Sequence, residues 1–175
     1  MRRAGIAAAL VLALAAGGCG FHPLYGSSGT TAETADKMAS IFVEPIATPQ
    51  RLGYELRNTL IDLFDSSGHV SQNAYRLRVT LNQKSQGVAV QNDAAITRYN
   101  DTLTVDYTLS DMKGVVITKG VETGLSAYDV AASPYATLIA QQDSDTRAAQ
   151  DIAYRIRTDL AVFFERQAKA EQPRK

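Results

Sequence analysis

The residues that most often carry chemistry are scarce in this 175-residue chain. It has one Cys, Cys19, and two His, His22 and His69. Two isolated imidazoles with no neighbouring thiolate do not make a metal-ligand spacing, and a lone Cys excludes a disulfide framework within the chain. No nucleophile elbow, phosphate-binding Gly loop, dinucleotide fingerprint or His-Glu-x-x-His string is present. Asp143 and Asp145 are the closest acidic pair that acid–base work would use. Their place at an expected helix start favours a simpler role, complementing the helix dipole. Arg76 and Arg78 alternate along an expected strand and share one side of it. That side is either solvated or meets an anionic ligand or partner. Eight Tyr and no Trp suit a partner surface or sheet packing. The chain is therefore expected not to be an enzyme, and to bind no metal or dissociable cofactor.

Cys19 is the exception, because of what precedes it. Arg2 and Arg3 form a positive start, Ile6 to Ala16 is apolar, and Ala15-Ala16-Gly17-Gly18 are small. This is the pattern of an export signal with a cleavage site, and its apolar run is too short to span a bilayer. Ala16-Gly17-Gly18-Cys19 resembles a lipobox, although Leu is commoner three residues before the Cys. The expectation is an S-diacylglyceryl, N-acyl anchor on Cys19, held in a membrane by roughly 0.8 kcal/mol per buried CH₂. The alternatives are a plain secretory leader or a buried free thiol. Residues 1–18 are thus assigned to the leader. Cleavage would remove two of the eighteen basic residues, leaving 16 against 18 acidic ones.

The elements that position these residues follow from composition and periodicity. At 45% hydrophobic and zero net charge, the chain is neither disordered nor a nucleic-acid binder, since both need a charge excess. Its length supports one modest core. Residues 19–39 are expected to be a lipidated segment and linker, because Gly26 to Ser40 is rich in Gly, Ser and Thr. Residues 40–170 are expected to form one domain, and 171–175 to fray.

Within that domain, the run from Ser40 to Pro45, Ser-Ile-Phe-Val-Glu-Pro, reads as a strand that stops at the proline. Leu52, Leu56, Leu60 and Phe64 make one helical stripe, ended by the Ser66-Ser67-Gly68 turn. Tyr75, Leu77, Val79 and Leu81 alternate with polar residues, as do Leu103, Val105, Tyr107 and Leu109. Lys84 to Tyr99 extends that hairpin beyond the core. Asp111 to Gly114 is a turn before a last strand reaching Tyr128. Ser133-Pro134 opens a short helix, Tyr135 to Gln142. Asp143 or Ser144 then caps a second helix carrying Ile152, Ile156 and Leu160. The order β-α-β-β-β-α predicts an α+β two-layer sandwich, with an antiparallel four-stranded sheet packed against two helices.

Gly18-Cys19-Gly20-Phe21-His22-Pro23-Leu24-Tyr25-Gly26 resembles the mature start of the LptE family of lipopolysaccharide-assembly lipoproteins, in its alphaproteobacterial form. Ser133-Pro134-Tyr135-Ala136, Gln141-Gln142-Asp143 and Arg147-Ala148-Ala149 are similar to that family too. The resemblance implies a lipoprotein on the periplasmic face of the outer membrane. It would plug and help assemble the LptD β-barrel, which inserts lipopolysaccharide into the outer leaflet. Gly20 after the Cys is compatible with outer-membrane sorting. In better-known relatives, basic residues near the long hairpin and the start of the last helix are credited with lipopolysaccharide contact. Here Gln91 and Gln141 fall near those places. Lys84, Arg98, Lys113 and Lys119, the cations of the hairpins, are the ones expected to take their place. The alternative is an envelope lipoprotein that binds another periplasmic partner or polymer.

Overall fold

A computed structural model describes residues 29–47, 51–64, 72–90 and 96–171. Cys19, His22, His69, Gln91, the leader and the expected turn at Ser66 to Gly68 lie outside the described residues. The elements in chain order are α1 (Gly29–Ala39), β1 (Ile41–Val43), α2 (Arg51–Phe64), β2 (Tyr75–Val90), β3 (Ile96–Asp111), β4 (Val116–Asp129) and α3 (Pro134–Glu171). The fold is α+β. The helices cover one face of a four-stranded sheet ordered β1-β2-β3-β4.

The apolar stripes meet where the periodicity places them. Leu56 and Leu60 of α2, Ile152, Ile156, Leu160 and Phe164 of α3, and Leu77, Leu103, Val105 and Leu109 of the sheet are all at most 1% exposed. Tyr75 closes one end against Phe164, with ring centroids 5.2 Å apart. On β4 two of the inward positions are glycine; Gly124 lets α3 settle onto the strand, and Gly120 admits the Tyr107 ring of β3. A Cβ at Gly124 would stand 2.8 Å from Ile152 Cδ1, and one at Gly120 would overlap the Tyr107 ring. β2 and β3 are 16 residues each, about 50 Å at strand rise. α3 has 38 residues, roughly 57 Å, so it runs the length of the sheet. The strands outrun the hydrophobic core, as the Lys84 to Tyr99 segment predicts.

Three expectations need correction. First, the sheet is mixed: β1 pairs parallel to β2, Ile41 with Tyr75 through Val43 with Leu77. α2 intervenes between the two strands and returns the chain to the same end, so β2 leaves in the direction β1 took. Second, the segment read as a linker contains α1. Its Thr34 and Met38, four residues apart, are buried, and Glu33 pairs with Lys37 at 3.0 Å. The Ser40 N–H donates to Asp36 O at 3.1 Å and closes the helix. An eleven-residue helix this polar draws its stability from packing, here against α3, and not from propensity.

Third, α3 is continuous through the expected cap. Ser144 is buried, and its hydroxyl donates to the Ala127 carbonyl at 3.0 Å. It ties the helix to β4 and caps nothing. Asp143 pairs with Arg147 one turn on. The true start is Ser133-Pro134, where Ser133 O accepts the Thr137 N–H at 3.1 Å and Pro134 fills the first helical position.

Ile156 is fully buried, so Ile156→Asp places an unpaired charge in the middle of the α3–sheet contact. The expected result is loss of about 4 kcal/mol or more, read as collapse of the cooperative thermal transition. An unchanged melting midpoint would mean that the core lies elsewhere.

Candidate functional site

Strand alternation divides the sheet into two unlike faces. Odd positions of β2 and β3 point to the helices; even positions point away. The away face is built from cross-strand rows: Arg78–Thr108–Lys119, Asn82–Thr104–Thr123, Lys84–Thr102–Leu125 and Gln86–Asn100–Ala127. It is a long surface of Thr, Asn and Gln, with cations spaced along it. Lys84, Arg98 and Lys119 all lie on this face. They are not gathered into one clamp, since their rows spread over ten residues of β3, about 33 Å. Arg98 donates to Asp129 Oδ1 at 3.0 Å. Lys113 is exposed in the β3–β4 turn, at the end of the sheet opposite the hairpin.

Arg76 and Arg78 sit on this same face, beside Lys119. Both engage Glu44, just past β1, at 3.5 and 2.9 Å. Glu44 thereby offsets part of the cationic group. Two apolar residues on the face, Val121 and Leu125, were not singled out by the alternation in sequence, yet they are 59% and 77% exposed. Strand periodicity alone does not say which of two half-apolar faces will be covered.

Between the sheet and α3, beyond the hydrophobic core, lies a polar seam. Asp101 of β3 is completely buried. It accepts from Gln83 Nε2 at 3.0 Å and from the Ser85 hydroxyl. The same Gln83 amide donates to Asp145 of α3 at 3.0 Å, and the Ser126 hydroxyl reaches Asp145 at 3.5 Å. Asp145 is thus not the helix-start residue its spacing suggested. It faces a second carboxyl across a shared amide. Partial burial, with the nearby Asp101 charge, raises its pKa above the ordinary Asp value. A similar pairing recurs along the same contact. Burial first, and then Asp159, raise the pKa of Glu122, while Tyr107 donates its hydroxyl to Asp159 at 3.0 Å.

Asp145 also borders a cavity of 210 Å³ between α2 and α3, lined further by Arg51, Glu55, Leu138 and Gln141. Gln141 is one of the two neutral positions that replace expected cations. A larger, open cleft of 570 Å³ lies where the hairpin meets the start of α3, lined by Ile96, Tyr99, Val130, Ala131, Pro134 and Thr137. Tyr99 stacks on Tyr128 at 5.5 Å beneath it. Exposed Tyr135, Leu138 and Ile139 lie on the first turns of α3 nearby. Chemically, this end offers an apolar cleft, with one guanidinium, Arg98, on the outer face of the same strand, β3. Among the described residues, no helix is long and apolar enough to cross a membrane.

The raised pKa of Asp145 has a defined consequence for stability. The folded state binds the Asp145 proton more tightly than the unfolded chain does. This contribution is present below the ordinary Asp value of 3.8 and is lost as pH rises through the elevated one. Asp145→Asn removes the ionisation and keeps an acceptor for Gln83. The variant should melt higher than the parent at pH 8, with a smaller or no gain near pH 4. Equal midpoints at both pH values would contradict the carboxyl pairing.

Comparison with known proteins gives a consistent picture. Residues 38–162 match the sequence model of the LptE family, described as lipopolysaccharide-assembly. Among solved structures, the chain is similar to a candidate lipoprotein from Caulobacter crescentus CB15. The two are 30% identical over 78% of this chain and 98% of that one, with a TM-score of 0.63. A minor lipoprotein from Acinetobacter baumannii shares the fold at 17% identity, covering 71% of this chain and 92% of its own, with a TM-score of 0.56. So does the rare lipoprotein B of Shewanella oneidensis, at 12% identity, 75% and 98% coverage and a TM-score of 0.55. No curated protein matches the chain.

Proposed function

The chain belongs to the LptE family of lipopolysaccharide-assembly proteins, and from that premise we propose that it is an outer-membrane lipoprotein which plugs and helps assemble an LptD-type β-barrel. Acyl chains on Cys19 hold it at the periplasmic side of that membrane, and it contacts lipopolysaccharide during insertion into the outer leaflet. The role is binding and scaffolding, not catalysis. The observation that carries this reading is the family match over residues 38–162, which takes in β1 to β4 and most of α3.

The geometry supports the plug and the lipopolysaccharide contact on physical grounds. The lumen of a large barrel is polar, so a plug needs broad polar surface that is already folded. The outer sheet face supplies it, with rows of Thr, Asn and Gln succeeding one another along strands about 50 Å long. Lipopolysaccharide joins acyl chains to phosphorylated sugars. The apolar cleft at Ile96, Tyr99 and Val130 suits the first; Arg98, on the outer face of the same end and paired with Asp129, and Lys84 two rows away suit the second. Lys113 and Lys119 lie further from the cleft and take a smaller share.

Mild detergent extraction and affinity purification of the full-length protein tests the partnership. A large barrel protein should co-purify in stoichiometric amount, and its absence would refute the plug. Cys19→Ala should leave the membrane fraction while its circular dichroism is unchanged. Arg98→Glu combined with Lys84→Glu should weaken lipopolysaccharide binding by roughly tenfold or more, since a charge-assisted contact is worth about 1.5–3 kcal/mol. Binding unaffected by the double change, in a variant that melts normally, would move the contact elsewhere.

A further inference from the structure

The β3–β4 turn is apolar where turns are ordinarily polar. Met112, Val115 and Val116 are 49%, 62% and 58% exposed, and Lys113 and Gly114 between them are exposed as well. Its backbone is nevertheless bonded from within. The Asp111 N–H donates to Val115 O at 3.0 Å, and the Gly114 N–H donates to Asp111 O at 3.1 Å. The Asp111 carboxylate accepts the N–H groups of Lys113 and Val115 at 2.9 and 2.8 Å. Gly114 has a φ of 88°, in the region that favours glycine, and a Cβ there would meet nothing within 4 Å. The turn is a preformed projection whose paired backbone groups can leave water at little cost.

Cations stand in and just behind this tip. Lys113 is in the turn itself. On the outer face the last row is Phe42–Arg76–Ser110–Val116, and the next carries Arg78–Thr108–Lys119, about 7 Å further back. The nearby carboxylates are already engaged, Glu44 by Arg76 and Arg78 and Asp111 by the turn.

We propose that the β3–β4 turn dips into the surface of the bilayer that holds the Cys19 acyl chains, with Met112, Val115 and Val116 below the headgroups and Lys113 and Lys119 against lipid phosphates. This deepens the lipoprotein reading and rests on it. The occupant is argued from where the chain leads. α1 ends beside Ser40, whose carbonyl accepts the Tyr75 N–H at 3.2 Å, and Tyr75 stands opposite Asp111. α1 therefore joins the sheet at the end that carries the turn. It has 11 residues, about 16 Å, and the stretch from Cys19 to Gly29 reaches about 35 Å at most. The turn lies within that reach whichever way α1 points. The apolar residues at the hairpin end, about 50 Å away, come within it only if helix and tether are both drawn straight toward them. With the anchor in place the turn's contact is intramolecular and needs little affinity of its own. Acyl chains on a tether fix position; the turn adds orientation, and Lys113 keeps its ammonium at the headgroups while its stem lies among apolar groups.

Cys19 is the one Cys in the chain, so once it is acylated Val115→Cys supplies the sole free thiol. The full-length lipoprotein, labelled there with the fluorophore NBD, is reconstituted alone into vesicles of phosphatidylethanolamine and phosphatidylglycerol, and mass spectrometry reads the acylation of Cys19. The label should shift to the blue, lose its quenching by aqueous iodide and be quenched by nitroxides on the lipid chains. Labels at Tyr54→Cys on α2 and Tyr135→Cys at the hairpin end, both 72% exposed in the parent, should keep their iodide quenching. Met112→Asp with Val116→Asp changes only exposed side chains. It should melt like the parent and return the Val115 label to water. A Val115 label that stays in water on acylated protein would overturn the proposal and leave the turn to a protein partner. A Tyr135 label that enters the lipid instead would overturn it in favour of the hairpin end. Protein found without acyl chains would overturn the anchor reading, and the proposal with it.

Discussion

The seating of α3 on the sheet is the contact on which the other features depend. It needs an apolar stripe on the helix and also a strand that yields space. Ile152, Ile156, Leu160 and Phe164 supply the stripe. Gly120 and Gly124 supply the space, since side chains there would collide with Tyr107 and Ile152. Ala148, buried and with its carbonyl beside Gly124, keeps the helix backbone close to β4. Packing of this closeness gains dispersion energy from many short contacts, and it penalises any added volume. β1, α1 and α2 then complete a core whose central line α3 has already fixed.

That contact changes character along its length. From Tyr75 to Leu81 on β2 it is hydrophobic. From Gln83 onward it is a polar seam of Asp101, Gln83, Ser85, Ser126 and Asp145, ending at the stacked Tyr99 and Tyr128. Fewer apolar contacts hold the hairpin half, so local opening costs less there than in the core half. The apolar cleft and Arg98 belong to that softer half. If this end takes an amphiphile as proposed, such placement lets it yield while the core half keeps the fold intact.

Much of this was legible in the residues, and the parts that were not share a cause. The α2 stripe at Leu52, Leu56, Leu60 and Phe64 is buried as its spacing requires. So are Leu103, Val105, Tyr107 and Leu109 on β3. Periodicity reports which side of an element is covered when that cover is apolar. It fell short for α1, whose buried pair includes a threonine. It fell short again for Ser144 and Asp145, whose polar side chains look like cap chemistry but serve a seam that only the fold creates. The direction of β1 depended on the path of α2. Of the candidate cations, strand alternation puts Lys84, Arg98 and Lys119 on one face. It gave no means of seeing that they lie too far apart to act as a cluster.

β4 makes the general argument most directly. Its even positions are spent on the interior: Gly120 and Gly124 admit Tyr107 and Ile152, and Ser126 joins the seam. Its odd positions remain outside, with Lys119 and Asp129 at the ends and Val121 and Leu125 between them. A mutation at an even position therefore perturbs the fold, and one at an odd position perturbs what the fold presents. A strand buried on both faces would couple these roles. Here two-residue alternation separates them, so recognition on the outer face can change without disturbing the helix seated behind it.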